Sequence, residues 1–437
     1  IFITSPGVEN KSETNENNIS LKYQKDLSKS VSLNIDYYKT GYVNKEEQID
    51  QNNNLRNNNF DQTLNRLDIR FKHSTSTGSY YTIGFGYDKE LLERTNISVK
   101  PKHNSQFIYF QYDWNTNDRF NLVSGIRYDN HNKYSSQISP KVSFKYDFSE
   151  NLNLKGSFGY GYKTPDFRQL YLNFSNSTSG YIVLGTSVID DVITELQNNN
   201  DLIFYNDQFT TDLTAENSNS YNLGLQYFIT PEIPLDINLF RNNIYNLIET
   251  NIVGRKTNGQ TIYSYSNVDK AFTQGMEVQG SWNPIKKLSL KGGYQLLFAK
   301  DNNAIDEFKS GIVFARDPIT KQSFELQSDD YFGLYGRSRH QVNIGINYYM
   351  NQNKDNINLR FNYRGKFGLV DTNNNSYLDK YDNYIKGHVI SNITINKYIT
   401  KNISFQAFIK NLLGYKDVVN LLNNPGRTVS FKVIFKN

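Results

Sequence analysis

Apolar and polar residues alternate one by one along most of the chain. In 152–160 the even positions are apolar or glycine and the odd positions are polar or small, and the same two-residue period returns in 221–227 and 357–364. Because successive side chains of a strand point to opposite faces, this period predicts strands with one apolar and one polar face. The chain contains about 17 such segments of roughly 10 to 14 residues, near the length that a tilted strand needs to cross a bilayer.

The connections between these segments differ in length at the two ends of the strands. Short joints, such as 147–150 and 283–286, alternate with longer ones, of which 163–216 and 301–337 are the longest. Short turns on one rim and long loops on the other are typical of outer-membrane barrels. The pattern predicts an all-β fold, a transmembrane antiparallel β-barrel that forms one domain over residues 1–437. Its long extracellular loops are expected at about 163–216 and 301–337.

Aromatic residues gather beside the short joints. Both tryptophans, Trp114 and Trp282, lie there, and so do Phe148, Tyr227 and Tyr348. Aromatic girdles of this kind mark the membrane interface of barrels. A soluble sandwich or propeller with aromatic strand ends is the alternative, but such folds do not sort their loop lengths by side.

The composition fits a barrel and argues against several other classes. Of the 437 residues 37% are hydrophobic and none is Cys, and the mean hydropathy is −0.65. No apolar run reaches about 20 residues, which excludes a transmembrane helix, whereas the lipid-facing residues of a barrel are diluted by polar ones. A net charge of +5 with scattered Lys and Arg gives little support to nucleic-acid binding. The absence of Cys excludes disulfides and thiolate metal sites.

Strand parity bears on the extent of the chain. A closed bacterial barrel has an even number of strands, with both termini on the short-turn side. Counting back about 17 strands from Phe435 places Ile1 on the long-loop side, and 1–18 lacks the pattern of a signal peptide. We therefore expect the chain to be the C-terminal part of a larger barrel. We also expect that this part does not close stably by itself, because missing strands would leave two unpaired edges.

A series of short motifs appears in the order known from one protein family. The motifs are 125–129 (GIRYD), 138–144 (ISPKVSF), 159–171 (GYGYKTPDFRQLY), 213–224, 238–249, 274–278, 410–415 and 425–431. Over most of the chain they resemble those of TonB-dependent outer-membrane receptors, and their order and spacing together are specific.

The resemblance implies a barrel of roughly 22 strands with an N-terminal plug domain and a periplasmic segment that contacts TonB. No plug appears in this chain, and Lys436 and Asn437 follow Phe435 where these barrels usually end on an aromatic residue. Such receptors lie among the lipids of the Gram-negative outer membrane and import ferric siderophores or haem, with energy relayed by TonB, ExbB and ExbD. The implied function is such an importer, with a passive porin-like channel as the alternative. A surface lipoprotein is a further candidate partner.

The first long loop bears on the ligand. Haem receptors of the family often carry an Arg-Ala-Pro type box followed by a haem-ligating His, but here that position reads YKTP and 166–216 contains no His. The run 166–174 is similar to haemin-type receptors of Bacteroidetes and includes Arg168 and Tyr171, which with Tyr181 are candidate ligand contacts. Tyr171, Tyr181 and Tyr205 are possible anionic-oxygen ligands of ferric iron. The alternative is that these tyrosines are packing aromatics of the loop.

The second long loop re-enters the barrel through Arg337, Arg339 and His340. Charge-assisted hydrogen bonds to carboxylates are strong, so these residues are candidate contacts for an anionic ferric complex or for haem propionates. The alternative is that they line a polar lumen and pair with acidic neighbours such as Asp329 and Asp330.

We predict neither a catalytic site nor a metal site. The remaining histidines, His73, His103, His131 and His388, are scattered, and no pair has the i,i+4 spacing of helical metal ligands. The segment 371–382 (DTNNNSYLDKYD) is superficially similar to a calcium loop but lacks the Gly and the bidentate Glu of an EF-hand. No nucleophile motif is present, so we expect neither enzyme activity nor a resident cofactor.

Overall fold

The protein is represented by a computed structural model, which describes residues 9–49, 55–57, 59–95, 97, 100–117, 119–176, 180–207, 209–317, 319–350, 355–373, 375–418 and 426–435. Within these ranges it is an antiparallel β protein with short helices in its connections. The expectations for Ile1 and for residues 436–437 lie outside the described residues.

The described strands carry the two-residue period of the sequence. They are β1 (Glu9–Asp26), β2 (Val31–Ile49), β3 (Leu55–Asn57), β4 (Phe60–Ser74), β5 (Tyr80–Arg94), β6 (Lys102–Asn117), β7 (Phe120–His131), β8 (Gln137–Ser149), β9 (Leu152–Lys163), β10 (Asn173–Asn176), β11 (Tyr181–Leu184), β12 (Leu202–Tyr205), β13 (Glu216–Thr230), β14 (Ile233–Lys256), β15 (Thr261–Ile285), β16 (Leu288–Asp301), β17 (Phe314–Arg316), β18 (Ser323–Glu325), β19 (His340–Tyr349), β20 (Asn356–Arg364), β21 (His388–Tyr398), β22 (Ile403–Lys410) and β23 (Thr428–Phe435). The helices are α1 (Phe167–Tyr171), α2 (Ile189–Asn198) and α3 (Asn302–Lys309).

The strand count confirms the prediction from periodicity. Six of the 23 described strands have three or four residues and lie in connections, and the other 17 have eight or more. The longest connections between these 17 strands run through 164–215 and 302–339. Trp114 and Trp282 lie near short turns and are 38% and 48% exposed, which fits an interface position. No described helix is long and apolar enough to cross a membrane.

The chain divides into two compact units. Unit 1 comprises Ile1–Val142, Gly159–Asn219 and Ile244–Asp269, and unit 2 comprises Ser143–Phe158, Ser220–Asn243 and Lys270–Asn437.

In unit 1, strands β1, β2, β4, β5, β6 and β7 pair antiparallel in chain order. Short turns join several of them. The hydroxyl oxygen of Ser28 accepts from the amides of Ser30 and Val31, and Gly78 takes a φ of +81°, which glycine adopts without a Cβ clash. Such local side-chain and backbone geometry keeps these turns tight.

The inner face of unit 1, defined as the face opposite its exposed apolar residues, carries ion pairs. Arg66 Nε lies 2.7 Å from an Asp88 oxygen, and Arg70 pairs with both Asp36 and Asp68. Directly opposite strand residues share a face, so the register itself brings Arg66 beside Asp88. The polar positions that alternate along the sequence thus form a charged face of the sheet.

In unit 2, strands β15, β16, β19, β20, β21, β22 and β23 pair antiparallel in that order. Its polar face carries amides more than ion pairs. Gln295 Nε2 donates to Glu277 at 2.8 Å, and Gln341 Nε2 donates to Gln295 at 3.1 Å.

Tightly buried apolar clusters form in the long connections. In unit 1 one cluster includes Leu184, Ile189 and Ile262, and in unit 2 another includes Phe308 and Leu326. The long loops therefore have their own hydrophobic cores, which hold them in defined positions.

Candidate functional site

The second long loop is anchored to the end of β16. The Asp301 side chain caps α3 by accepting from the Asn303 amide at 2.8 Å. Further along, the Leu334 amide donates to the Ala299 carbonyl at 2.9 Å. Gly333, with a φ of +131°, allows this approach, because a Cβ there would lie 2.2 Å from the same carbonyl oxygen.

This anchoring brings cations from separate segments against aromatic rings. We call the group the cation–aromatic cluster, and it consists of Lys300 with Tyr331, Arg339 with Phe332, Arg364 with Phe367, and Lys366 with Tyr384, at 5.3, 4.5, 3.5 and 4.7 Å from the ring centres. Each such contact is worth about 0.5–1 kcal/mol at an exposed site and more when desolvated. The rings hold the cations without neutralising them.

The cations of this cluster form no close ion pairs within the described residues. Among the residues that the structure describes, neither these four cations nor Arg337 has a carboxylate oxygen within 4.0 Å. Carbonyl oxygens take their hydrogen bonds instead, since Arg339 Nη2 donates to Phe332 O at 3.1 Å and Arg364 Nη2 donates to Gly336 O at 2.6 Å. Arg339 Nε is buried without a hydrogen-bond partner. An unbalanced positive cluster of this kind attracts anions.

The acidic neighbour Asp330 pairs elsewhere. Its carboxylate lies 2.5 Å from Lys380 Nζ, so it is not the partner of Arg337 or Arg339 that one reading of the sequence allowed. Burial by itself would raise the pKa of Asp330, but hydrogen bonds from Lys380 and the Gln327 amide outweigh it and the pKa is lowered. Asp330 therefore stabilises the loop fold and leaves the two arginines unneutralised.

His340 does not join the two arginines. It starts β19, where it lies on the same strand face as Val342 and the exposed Ile344, and its Nδ1 is 2.9 Å from the hydroxyl of Tyr294. Arg339 precedes it in the chain, and successive residues of an extended segment point to opposite sides. The three predicted residues are thus split, with Arg337 exposed beside the cluster and Arg339 within it.

The predicted residues of the first long loop make packing contacts. Arg168 is exposed on α1 and lies 3.8 Å from Asp166. Tyr171 is half-buried with its ring 6.1 Å from that of Phe167, and Tyr181 pairs with Thr261 in a parallel ladder. The contacts of Tyr171 and Tyr181 are of the kind that the loop-packing alternative expects, and the ligand roles of all three residues stay predictions.

The first loop also lacks cations over most of its length. Residues 169–216 contain seven Asp or Glu and no Lys or Arg. Carboxylates repel a negatively charged ligand. The charge distribution therefore favours the second loop as the element that binds an anion.

Two histidines that look scattered in the sequence lie together. The rings of His103 and His131 are 5.0 Å apart on neighbouring strands β6 and β7, and His103 also packs against Phe167 at 4.4 Å. His103 Nε2 and the Tyr134 hydroxyl are buried without partners. The sequence analysis missed this pair because it looked only for the i,i+4 spacing of helical ligands. The two residues could have been found from their positions on the same face of adjacent strands. Within the described residues no group of three or more His, Cys, Asp or Glu is arranged to hold a metal ion.

Carboxylates of the segment 371–382 accept hydrogen bonds from backbone amides of the same segment. Asp382 accepts from the amides of Thr372 and Asp379 at 2.7 and 2.8 Å, and Asp379 accepts from the Tyr381 amide at 2.7 Å. The phenol of Tyr384 donates to the Asp379 carbonyl at 2.6 Å, and burial raises the pKa of this tyrosine. Its hydroxyl is therefore a neutral donor that joins this segment to the cation–aromatic cluster.

Comparison with known proteins agrees with this architecture. The family model described as TonB dependent receptor-like, beta-barrel matches residues 3–412. Among curated relatives, “Probable TonB-dependent siderophore receptor PirA” of Acinetobacter baumannii is 27% identical over an alignment of 227 residues that covers 48% of this chain and 28% of that protein. The ferrienterobactin receptor of Escherichia coli K12 is 26% identical over 167 residues, 37% of this chain and 20% of that protein. The matches thus span less than a third of each relative.

Solved structures share the fold at low sequence identity. The siderophore receptor PirA from Pseudomonas aeruginosa has a TM-score of 0.59 and 14% identity, with 96% of this chain and 70% of that chain covered. A mutant ferric enterobactin receptor from the same species, in complex with enterobactin, has a TM-score of 0.63 and 13% identity, with 99% and 72% covered.

Proposed function

We propose, because the chain belongs to the family of TonB-dependent receptor-like β-barrels, that it acts in a receptor of the Gram-negative outer membrane that imports a ferric siderophore. Its energy would come from the TonB, ExbB and ExbD proteins, and the chain itself would perform no covalent chemistry. Several similar proteins carry names of siderophore or ferric enterobactin receptors. A surface lipoprotein stays a predicted partner.

We further propose that the siderophore is of the catecholate class. A ferric catecholate presents aromatic rings and a net negative charge around the iron. The cation–aromatic cluster offers cations without close ion-pair partners, held over the buried rings of Tyr331, Phe332 and Phe367 and over the half-buried ring of Tyr384. This cluster is the observation that carries the proposal, and Arg337 and Lys366, which are both exposed, are its most accessible charges.

Ligand binding to the purified protein tests this proposal. The double variant Arg337→Gln/Lys366→Gln should bind ferric enterobactin about tenfold or more weakly, because charge-assisted hydrogen bonds are worth about 1.5–3 kcal/mol each. The matched control is Lys309→Gln/Lys321→Gln, which removes two exposed charges from the same loop outside the cluster. Equal affinity of the two double variants would contradict the proposed site. Tighter binding of haem than of ferric enterobactin would show that haem, and not a catecholate siderophore, is the ligand class.

Uptake by whole cells separates active import from passive diffusion. Iron-55 delivered as ferric enterobactin should accumulate only while the inner-membrane proton gradient is intact. Uptake that survives a protonophore would favour the porin-like channel.

A further inference from the structure

The face of unit 1 opposite its ion pairs has an apolar band with sharp limits. Residues directly opposite each other in paired strands share a face, so the register defines rows across β2, β4, β5 and β6. The band consists of the rows Leu33–Phe71–Ile83–Phe110, Ile35–Ile69–Phe85–Ile108 and Tyr37–Leu67–Tyr87–Gln106. Ile83 and Ile108 are 48% and 53% exposed, so this face has no protein cover among the described residues.

The next two rows beyond this band, on the side away from the short turns, are mostly polar and positively charged. They are Lys39–Asn65–Lys89–Asn104 and Gly41–Thr63–Leu91–Lys102, and they contain three lysines and no carboxylate. Rows on one face are about 7 Å apart along a strand. In the described part of the chain, none of these lysines has a carboxylate oxygen within 4.0 Å. A positive rim therefore stands directly above an apolar surface.

A groove crosses the upper edge of the band. It measures about 490 Å³ and is lined by Leu67, Phe85, Tyr87, Ile108 and Tyr128. The Tyr87 hydroxyl donates to the Asn104 side chain at 3.0 Å, which fixes one polar wall below Lys89. The groove is lined mainly by apolar side chains, with Gln106 and Asn130 as its polar lining. In the strand register the next row beyond Tyr87 carries Lys89, so the groove suits a molecule with a hydrocarbon chain and an anionic head.

We propose that this groove binds a phosphorylated lipid of the outer leaflet, with an acyl chain along Phe85 and Ile108 and the phosphate between Lys89 and Lys102. Lys39, two strands away from Lys89, is the third cation of the same rim. The inference rests on the proposed outer-membrane location but not on the siderophore. Ammonium groups at a membrane surface attract anionic headgroups at close range, and charge-assisted hydrogen bonds to phosphate are strong.

Native mass spectrometry of the protein in a mild detergent tests the site. The probes are dimyristoyl phosphatidic acid, the matching diacylglycerol and inorganic phosphate. Phosphatidic acid should bind at a stoichiometric site, diacylglycerol should bind more weakly, and inorganic phosphate should not compete. The variant Lys89→Gln/Lys102→Gln should lower the affinity for phosphatidic acid about tenfold, and Lys89→Arg/Lys102→Arg should retain it.

Matched variants separate this site from general surface charge. Lys25→Gln/Lys29→Gln removes the same charge at the short-turn rim and should leave lipid binding unchanged. Ile108→Asn should weaken phosphatidic acid and diacylglycerol alike, because it alters only the groove. Equal losses in the two lysine pairs, or none in either, would overturn the proposal. Retained ferric enterobactin binding in Lys89→Gln/Lys102→Gln would separate a lost lipid site from a failure of the proposed receptor function.

Discussion

The two long connections have similar construction but differ in where their cations lie. Each has its own hydrophobic core, around Leu184 and Ile189 in unit 1 and around Phe308 and Leu326 in unit 2. The first, however, has no Lys or Arg in 169–216, whereas the second adjoins five cations without carboxylate partners among the described residues. Loop length alone therefore does not identify a ligand-binding loop. Cations that the fold leaves without ion-pair partners distinguish the second loop from the first.

The largest expected effect on loop stability comes from removing a buried apolar side chain from the core of either loop. Phe308→Ala leaves a cavity at a nearly fully buried position and should cost about 3–5 kcal/mol of local stability. We expect it to make the second loop sensitive to protease and to abolish binding of ferric enterobactin. Leu184→Ala, also fully buried, should make the first loop equally sensitive but leave most of the affinity. Loss of binding in both variants would show that the first loop also contributes.

Charge reversal should have an intermediate effect on the affinity for ferric enterobactin. The affinity should fall for a variant in the second loop and stay unchanged or rise slightly for one in the first loop. Arg337→Glu should weaken ferric enterobactin binding by about tenfold or more, and the loss should shrink at high salt because exposed charges are screened. Asp191→Lys on α2 removes an exposed carboxylate from the acidic loop and should leave the affinity unchanged or slightly higher. Titrations at low and high ionic strength measure both, and a larger loss in the Asp191 variant would reverse our assignment.

The smallest expected effect concerns the Asp330–Lys380 pair. Because the folded-state pKa of Asp330 is lowered, its contribution is present above the unfolded value of about 3.9 and is lost as pH falls through the folded value. Asp330→Asn should therefore speed proteolysis of the second loop at pH 7, and this difference from the wild type should shrink as pH falls below about 3.9, measured with an acid-active protease. Asp306→Asn, which changes an exposed carboxylate of α3, is the control and should have no effect.

The candidate site was only partly predictable. Arg337 and Arg339 were found from their position after a long loop, but Lys300, Arg364 and Lys366 belong to the ends of other segments and carry no motif. They reach the same aromatic group because Gly333 lets the loop approach β16 and because β19 pairs with β20. His103 and His131 were missed for the same reason, since 28 positions of sequence separate two residues that become diagonal neighbours when the β6–β7 register places His131 opposite Ser105.

The strands, their two faces, the side of the short turns and the family were predictable from the sequence, because each depends on neighbours one or two positions apart or on linear motifs. Only the tertiary structure decided which cations stay without a partner, where His340 points and which lysines form one rim above the apolar band. Those outcomes depend on register and on loop docking. Both bring together residues far apart in the chain, and no short-range pattern records such distances.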